Sequence, residues 1–218
     1  MIIGFAGKAA SGKTTAARHL VRLLDAETHI IPMASLLREE VEAFLRQTGG
    51  EAFVPLVYGS QEDKVRVFYI DEARALDACP FWSDFLRRNP SLQDRPGQSA
   101  LTVRLILQWW GTEYRRAQDP DYWTKAWEAK VSALDLDRVH VLVDDVRFMN
   151  ELKTLRHFRA RIVKIERPGF NGAGNHASET SLDGYDAWDA VIVNDGTLEQ
   201  FLARVEALAV QWGLGTAG

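Results

Sequence analysis

Eight residues near the start of the chain, Gly7 to Thr14, read GKAASGKT and combine two glycines with a lysine and a hydroxyl side chain. The spacing fits G-x-x-x-x-G-K-[ST], a loop whose backbone N–H groups bind the phosphates of a nucleoside triphosphate. Lys13 is expected to reach the β- and γ-phosphates, and the Thr14 hydroxyl to bind Mg²⁺. The residues predicted to contact this ligand are Gly7, Ala10, Ser11, Gly12, Lys13, Thr14 and Thr15.

The flanking residues predict the elements that position this loop. An apolar run from Met1 to Phe5 precedes the loop and is typical of a buried strand. After the loop, apolar residues recur at the spacing of an amphipathic helix: Ala17, Leu20, Val21 and Leu24. A strand, a loop and a helix in this order are the context that a phosphate loop requires, and the helix N-terminus adds about half a positive charge.

Two neighbouring carboxylates follow a second apolar run, VHVLVDD, which ends in Asp144 and Asp145. Ligands of parallel α/β sheets bind beyond the carboxyl ends of the strands. One aspartate is therefore expected to hold Mg²⁺, directly or through water, while the other caps the next helix. We assign the metal to Asp145 together with Thr14, and the pattern leaves Asp144 open as the alternative.

Arginines are the third group of residues with chemical potential. Phosphoryl transfer spreads negative charge over the moving group, and the planar guanidinium pairs with phosphate oxygens. Arg104 lies on an otherwise apolar helix predicted for 101–116, and Arg147 directly follows the aspartates. We therefore predict both as catalytic, with Lys13 and Asp145. Further candidates are Arg115, Arg116 and Arg167.

The remaining pattern predicts the fold class. Short apolar strands alternate with helices, which indicates a parallel sheet covered on both faces. We expect an α/β P-loop NTPase, a three-layer sandwich with roughly five parallel strands. The residues 1–218 are predicted to form a single domain. A turn-rich stretch, 47–100, is predicted as a helical insertion that binds substrate, with short helical pieces such as 60–76.

Composition excludes several classes of function. A net charge of −4 and a pI near 5.8 argue against a nucleic acid partner, which needs clustered Lys and Arg. The single cysteine, Cys79, closes no disulfide within the chain. No apolar run approaches the roughly 20 residues of a membrane span, and the N-terminus does not fit a signal peptide. We expect a cytoplasmic protein, and the sequence leaves a homodimer open.

Three segments resemble the deoxynucleoside monophosphate kinases of tailed bacteriophages, within the wider group of P-loop nucleoside monophosphate kinases. They are LTVRLILQWWGTEYRRAQDPDYW, then VLVDDVRFMNELKTLR with IVKIERPG, and finally NHASE with VIVNDGTLEQF. The resemblance implies transfer of the γ-phosphoryl group of ATP to a deoxynucleoside 5′-monophosphate, with Mg²⁺ as cofactor and no covalent enzyme intermediate. A phage-encoded member would act in the host cytoplasm.

The resemblance also implies roles for residues. Arg104 would grip the acceptor phosphate, with Gln108 facing the base. Arg147 would contact phosphate, oriented by Glu151. Trp123 would lie beside the base or in the core. The implied substrate-binding residues are Ser35, Leu36, Arg38, Arg104, Gln108, Arg115, Arg116, Trp123 and Glu151, and the sequence does not decide between Arg115 and Arg116.

A glycine-rich segment, RPGFNGAGNHASE, resembles the lid that closes over ATP in this family, and we place a lid at 167–186. Arg167 and His176 would contact phosphate there, and Asn194 would border adenine. Thr14 departs from the family pattern, because many phage members have aspartate after the loop lysine. A hydroxyl at this position favours direct binding of Mg²⁺.

The sequence leaves two alternative functions open. The first is a P-loop kinase that acts on a modified base in DNA, which a continuous basic groove would favour. The second is a module that hydrolyses or senses nucleotide and acts through a partner. That module would not need a phosphate-binding arginine such as Arg104 on a buried helix.

Overall fold

The computed structural model describes residues 1–170 and 177–215, which form two compact units. One unit comprises Met1–Met33 and the chain from Thr124 onward, and we call it the sheet unit. The other comprises Ala34–Trp123, and we call it the aromatic unit. The second unit contains the insertion predicted at 47–100 and extends beyond it on both sides.

Seven strands and ten α-helices are numbered in chain order within the described residues. The strands are β1 (Ile2–Ala6), β2 (Thr28–Ile30), β3 (Phe68–Asp71), β4 (Gln98–Leu101), β5 (His140–Val146), β6 (Arg161–Glu166) and β7 (Ala190–Val193). The α-helices are α1 (Lys13–Leu23), α2 (Ser35–Gln47), α3 (Val54–Tyr58), α4 (Glu72–Ala78), α5 (Trp82–Arg88), α6 (Val103–Gln108), α7 (Tyr122–Ser132), α8 (Met149–His157), α9 (Ala177–Thr180) and α10 (Leu198–Gln211). A π-helix spans Trp109–Arg116, and short 3₁₀ turns span Glu51–Phe53, Asp63–Val65 and Pro90–Leu92.

The sheet unit is built on five parallel strands in the order β2-β5-β1-β6-β7. Successive side chains of a strand point to opposite faces, so both faces of this sheet carry aliphatic residues. On one face Phe5 packs with residues of α1 and α10, and on the other Ile2 packs with residues of α7 and α8. The predicted α/β sandwich with a five-stranded parallel sheet is confirmed.

Strand order places the phosphate loop at the centre of the sheet unit. The loop follows β1, which lies between β5 and β6. Because the strands are parallel, the carboxyl ends of all three lie at the same edge of the sheet. Residues that follow β1, β5 and β6 are therefore brought together at that edge.

The aromatic unit has a different construction. Its core packs helices around stacked and tilted rings: Phe44, Phe53, Phe68, Trp82, Phe85, Trp109 and Trp110. An antiparallel pair, β3 with β4, joins Phe68 to Leu101 and Asp71 to Gln98. The helix predicted for 101–116 begins at Val103, after Thr102 caps it by accepting the Leu105 N–H, and becomes a π-helix at Trp109.

The prediction of helical pieces at 60–76 is wrong in part. Phe68–Asp71 is a strand whose residues Phe68 and Ile70 are buried and alternate with more exposed ones, the period of a half-buried strand. The helix α4 starts only after Asp71, whose side chain accepts the N–H of Arg74. Among the residues that the structure describes, every helix is too short or too polar to span a bilayer.

Candidate active site

The phosphate loop depends on two glycines with positive φ. Gly7 has φ of 143° and Gly12 has φ of 115°, conformations that strain any residue with a Cβ. A Cβ on Gly12 would lie 3.0 Å from both Asn194 Nδ2 and Phe201 Cζ. A Cβ on Gly7 would collide with the carbonyl oxygen of Ile165 in β6. Both positions therefore require glycine for backbone conformation and for space.

Lys13 is the first residue of α1, and its side chain folds back over the loop. Its Nζ donates to the carbonyl oxygens of Gly7 and Lys8, at 2.7 Å in each case. The residue is 7% exposed. Burial, followed by the nearby positive charge of Arg147, lowers the pKa of Lys13 to about 8. The ammonium group is thus held where an incoming phosphate would restore the solvation that it has lost.

Thr14 contacts Asp144 rather than Asp145. Thr14 Oγ1 donates to Asp144 Oδ2 at 2.6 Å, whereas Asp145 Oδ1 accepts the backbone N–H of Met33 at 2.7 Å. The physical reason is alternation along β5, because neighbouring side chains leave a strand on opposite sides. The structure thus brings Asp144, the alternative that the sequence left open, to the Thr14 hydroxyl, and the residue predicted to hold the metal, Asp145, to the backbone of Met33.

The donors around Asp144 fit a hard divalent cation. Asp144 is 7% exposed, and its Oδ1 has no hydrogen-bond partner among the described residues. A buried carboxylate oxygen without a partner is costly, and a cation beside it removes that cost. Within residues 1–170 and 177–215, no group of three or more His, Cys, Asp or Glu side chains forms a metal cluster. Mg²⁺ held by one carboxylate, one hydroxyl and substrate phosphates needs no such cluster.

Arg147 follows β5 and is fixed at both its backbone and its side chain. Glu151 Oε2 accepts the backbone N–H groups of Arg147 and Phe148, at 2.7 and 3.1 Å, and so caps the start of α8. The Arg147 guanidinium donates to the carbonyl oxygen of Ser178 at 3.0 Å and pairs with Glu179. Glu151 is 3% exposed, so the structure gives it contacts that position Arg147 rather than a face toward a ligand.

Two further predicted residues lie against the loop. Arg167 Nη1 donates to the carbonyl oxygen of Ala10 at 3.1 Å, and Asn194 Nδ2 donates to that of Ser11 at 2.8 Å. Thr15 is exposed on the first turn of α1. His176 and part of the predicted lid lie outside the described residues. A cavity of about 360 Å³ borders the loop, lined in part by Lys8, Arg147, Arg167, Glu179 and Trp188.

Glu179 is a residue of this cluster that the sequence analysis did not assign. It lies on α9, is 8% exposed, and accepts the N–H of Ala9 in the phosphate loop at 2.8 Å. Its segment carries no apolar period that would reveal a buried side chain. The signal available was its place in NHASE, the segment that carries part of the family resemblance.

In the aromatic unit, Arg104 lies on α6 and is partly buried. Its Nη2 donates to the side-chain oxygen of Gln61 at 2.7 Å. Gln108 is also partly buried, one helical turn further on. The residues of the predicted substrate helix, Ser35, Leu36 and Arg38, lie in the first turn of α2, with Leu36 packed against the aromatic core.

Arg115 and Arg116 differ in their surroundings. Arg115 Nε donates to Glu40 Oε2 at 2.8 Å, and its guanidinium lies over the rings of Tyr114 and Tyr122. Glu40 also accepts Trp110 Nε1 at 2.7 Å and the Tyr122 hydroxyl at 2.5 Å. Arg116 donates to the carbonyl oxygen of Pro120 at an exposed position. Arg115 is therefore oriented by a shared, partly buried carboxylate. Sequence reasoning missed Glu40 because it lies in a charged helix, REEVE.

Trp123 belongs to the core. It is 2% exposed, and its indole N–H donates to the carbonyl oxygen of Gly111 at 2.9 Å. Of the two places that the resemblance left open for this ring, the structure therefore favours the interior of the aromatic unit over contact with a base.

Comparison with known proteins gives the family. Residues 91–205 match the family described as deoxynucleotide monophosphate kinase. This range is more than half of the 218 residues. The chain belongs to the deoxynucleotide monophosphate kinase family.

Individual relatives agree with this family. The chain is 25% identical to a mimivirus protein named "Putative deoxynucleotide monophosphate kinase", from Acanthamoeba polyphaga mimivirus, over 94% of each chain. It is 28% identical to the deoxynucleotide monophosphate kinase of Escherichia phage RB69 and 31% identical to that of Enterobacteria phage T4. These two matches cover 49% and 48% of this chain and 44% of each phage protein.

The predicted family and a kinase enzyme are therefore confirmed. The part of the chain that matches the deoxynucleotide monophosphate kinase family includes Arg104, both arginines of the π-helix, Arg147 and Glu179. The phosphate loop precedes the matched range, but the alignment with the mimivirus protein spans nearly the whole chain.

Proposed function

We propose that this member of the family transfers the γ-phosphoryl group of ATP to a deoxynucleoside 5′-monophosphate, giving ADP and a deoxynucleoside diphosphate. The observation that carries the proposal is the cluster of Lys13, Thr14, Asp144 and Arg147 at the carboxyl ends of β1 and β5. Phosphoryl transfer needs positively charged side chains, a hydroxyl and a carboxylate at one phosphate loop, and this cluster contains all of them.

ATP would bind through the loop. The backbone N–H groups between Gly7 and Thr15 would receive the β- and γ-phosphates at the N-terminus of α1. Lys13 would leave the carbonyl oxygens of Gly7 and Lys8, to which it donates in the structure, and bind phosphate instead. Arg167 and Asn194, which already contact the loop, are proposed to border the nucleotide.

Thr14 and Asp144 would hold Mg²⁺. When bound, the ion neutralises charge on the β- and γ-phosphate oxygens. The short hydrogen bond between Thr14 and Asp144 shows that the two oxygens can approach one another, as ligands of one ion must. Asp144 Oδ1, which has no hydrogen-bond partner among the described residues, supplies a further lone pair for such a site.

The acceptor phosphate would bind to arginines of the aromatic unit. Arg104 is proposed to grip it, with Gln108 toward the base, as the family resemblance implies. Of the two neighbouring candidates we favour Arg115, because Glu40 and two tyrosine rings hold its guanidinium in place. Ser35 and Arg38, at the start of α2, are proposed to complete the substrate contacts.

The reaction would be a direct, in-line displacement. An oxygen of the acceptor phosphate forms a bond to the γ-phosphorus while the bond from that phosphorus to the β–γ bridging oxygen breaks, and ADP leaves. Because the acceptor is already ionised, no strong general base is needed. Lys13 and Arg147 are proposed to offset the charge of the transferring group, and the 167–186 segment to exclude water as a lid.

The test is ADP formation from Mg·ATP with each deoxynucleoside monophosphate offered singly. We expect one or a few monophosphates to raise turnover far above the rate without acceptor. In Arg104→Ala, the turnover stimulated by the monophosphate should fall about 10²-fold. Arg46→Ala is the matched control, since Arg46 forms exposed ion pairs with Glu42 and Glu51 on the same unit. Its turnover should equal that of the wild type.

Other results would point elsewhere. Hydrolysis of ATP that no monophosphate changes would favour a nucleotide-hydrolysing module that acts through a partner. Bound ATP without turnover on free monophosphates would make DNA with modified bases the next acceptor to test. Equal losses in Arg104→Ala and Arg46→Ala would remove Arg104 from the acceptor site.

A further inference from the structure

Glu179 is a buried carboxylate that contacts the phosphate loop and a phosphate-binding candidate at once. Its side chain is 4% exposed. One oxygen, Oε2, accepts the N–H of Ala9 at 2.8 Å, and the other, Oε1, pairs with the Arg147 guanidinium. The two oxygens thus tie a residue that follows β5 to the loop that follows β1.

Polar contacts hold the surrounding segment to the same loop. Lys8 Nζ donates to the carbonyl oxygen of Glu179 and to Asp183 Oδ1, at 2.5 Å in each case. Arg147 Nη1 also donates to the carbonyl oxygen of Ser178 at 3.0 Å. These polar contacts hold α9 beside the phosphate loop, at the border of the cavity of about 360 Å³.

A negative charge at this position needs a reason. The loop is built to receive polyphosphate, and a carboxylate on one of its N–H groups repels that ligand. A buried carboxylate must also be paired, and Arg147 provides the pairing. Glu179 and Arg147 both act on Lys13, since Arg147 lowers the pKa of Lys13 while Glu179 raises it. The three side chains therefore form one electrostatic group.

We infer that Glu179 is a positioning residue, which fixes the Arg147 guanidinium against the phosphate loop so that Arg147 is correctly placed when phosphoryl transfer occurs. This inference rests on the proposed function, because Glu179 acts on transfer only through Arg147. It predicts that a change at Glu179 alters kcat but does not raise KM for ATP. Loss of the Glu179 carboxylate frees the Arg147 guanidinium and therefore lowers kcat. Because that carboxylate also repels the phosphates of ATP, its loss leaves KM for ATP unchanged or lower.

The experiment is a double-mutant cycle of Glu179→Gln, Arg147→Ala and the combined variant. Glutamine keeps the shape and an acceptor for the Ala9 N–H but loses the ion pair. We expect Glu179→Gln to lower kcat by up to about 10²-fold, the cost of a misplaced group. Arg147→Ala should cost more, and the combined variant should be no slower than Arg147→Ala. The inference would be overturned if the fold-losses of kcat in the two single variants multiplied in the combined variant. A higher KM for ATP in Glu179→Gln would also overturn it.

A second ion pair of the sheet unit supplies the control. Asp189 also accepts a backbone N–H and pairs with an arginine, although a single oxygen, Oδ2, engages both Ile162 N–H and Arg156 Nη1, at 2.5 Å in each case. Ile162 lies near the amino end of β6, at the edge of the sheet opposite the phosphate loop. Asp189→Asn should lower Tm and leave kcat unchanged. An equal fall of kcat in Asp189→Asn would show that Glu179 acts through stability alone.

Two provisions keep the outcomes separate. If Glu179→Gln does not fold, Glu179→Asp replaces it, because aspartate keeps the charge but shortens the reach to Arg147. The variant that combines Glu179→Asp with Arg147→Ala should again be no slower than Arg147→Ala. If the wild type shows no stimulation by any monophosphate, the proposed function fails. The cycle is then run on binding of a fluorescent ATP analogue, where the inference still requires non-additive effects of Glu179→Gln and Arg147→Ala, and additive ones overturn it.

Discussion

The two units hold their functional candidates in different ways. In the sheet unit the backbone does most of the positioning, because Gly7 and Gly12 shape the loop and strand ends deliver Asp144 and Arg147. In the aromatic unit, side chains position side chains, since Glu40 alone engages Trp110, Arg115 and Tyr122. In the sheet unit, a change of backbone conformation should therefore displace the functional candidates. In the aromatic unit, the loss of a single ring or carboxylate should be enough to displace them.

The cores show the same contrast. The sheet unit spreads its burial over many aliphatic side chains of moderate size, such as Val143 of β5, which is 0% exposed. The aromatic unit concentrates burial in a few large rings. Trp82 is 0% exposed, and its ring centroid lies 4.2 Å from that of Phe85 and 4.7 Å from that of Phe44.

The largest effect is expected from Trp82→Ala. Loss of the ring should lower the free energy of unfolding by about 3 to 5 kcal/mol, whereas Val143→Ala in the sheet unit should cost about 2 kcal/mol. Urea denaturation followed by far-UV circular dichroism measures both. Trp82→Phe is the control, because the Trp82 indole N–H has no partner among the described residues and its removal breaks no hydrogen bond there. Equal costs of the two alanine variants would remove the contrast between the cores.

Gly12→Ala should produce the next largest effect, on ATP binding. The new Cβ meets Asn194 and Phe201 and strains a φ of 115°, so the loop must shift and its N–H groups lose their common direction. We expect affinity for Mg·ATP, measured by calorimetry, to fall about 10²-fold.

Gly97→Ala is the matched control for that variant. Gly97 also has a positive φ, 68°, but a Cβ added there would meet no described atom within 4 Å, and the residue belongs to the aromatic unit. The variant should lose a little stability and keep the affinity of the wild type for ATP. A similar loss of affinity in both variants would contradict the assignment of phosphate binding to the backbone of the loop.

The smallest effect is a pH dependence of ATP binding. With a pKa of about 8, Lys13 is mostly neutral at pH 9 in the free protein, and bound phosphate favours its charged form. Binding should therefore take up about one proton at pH 9 and about a tenth of one at pH 7, and affinity should fall about tenfold between the two. Calorimetry in buffers of different ionisation enthalpy measures the uptake.

Lys13→Arg provides the comparison, because a guanidinium stays charged over this range. Its affinity for ATP should show no such fall with pH. A decline equal to that of the wild type would assign the titration to another group.

The sequence predicts the sheet unit better than the aromatic unit, for a physical reason. The phosphate loop and the strands are encoded locally, by glycine spacing and short apolar runs, so Gly7 to Thr14 and β5 could be placed without tertiary information. The choice between Asp144 and Asp145 could not, because it depends on which face of β5 meets α1. Glu179 was missed because its partners, Ala9 and Arg147, are distant in sequence.

The aromatic unit illustrates what local patterns do not contain. Phe68–Asp71 is a strand because Gln98–Leu101 pairs with it from some thirty residues away, and the turn signals between the two do not reveal which strands pair. Glu40 has the pattern of a solvated helix residue, and only the packing of α2 against the π-helix reveals its three partners. The substrate-binding assignments in this unit remain predictions for that reason.

The π-helix at Trp109–Arg116 gives this segment an unusual response to insertions and deletions. A π-turn contains one residue more than an α-turn, so a relative that lacks one residue here can keep an unbroken helix. Each α-helical residue turns the chain by about 100°, and the deletion would therefore rotate Arg115 away from Glu40 relative to Trp110. A change of length that a loop would tolerate would here alter which side chain faces the Glu40 carboxylate.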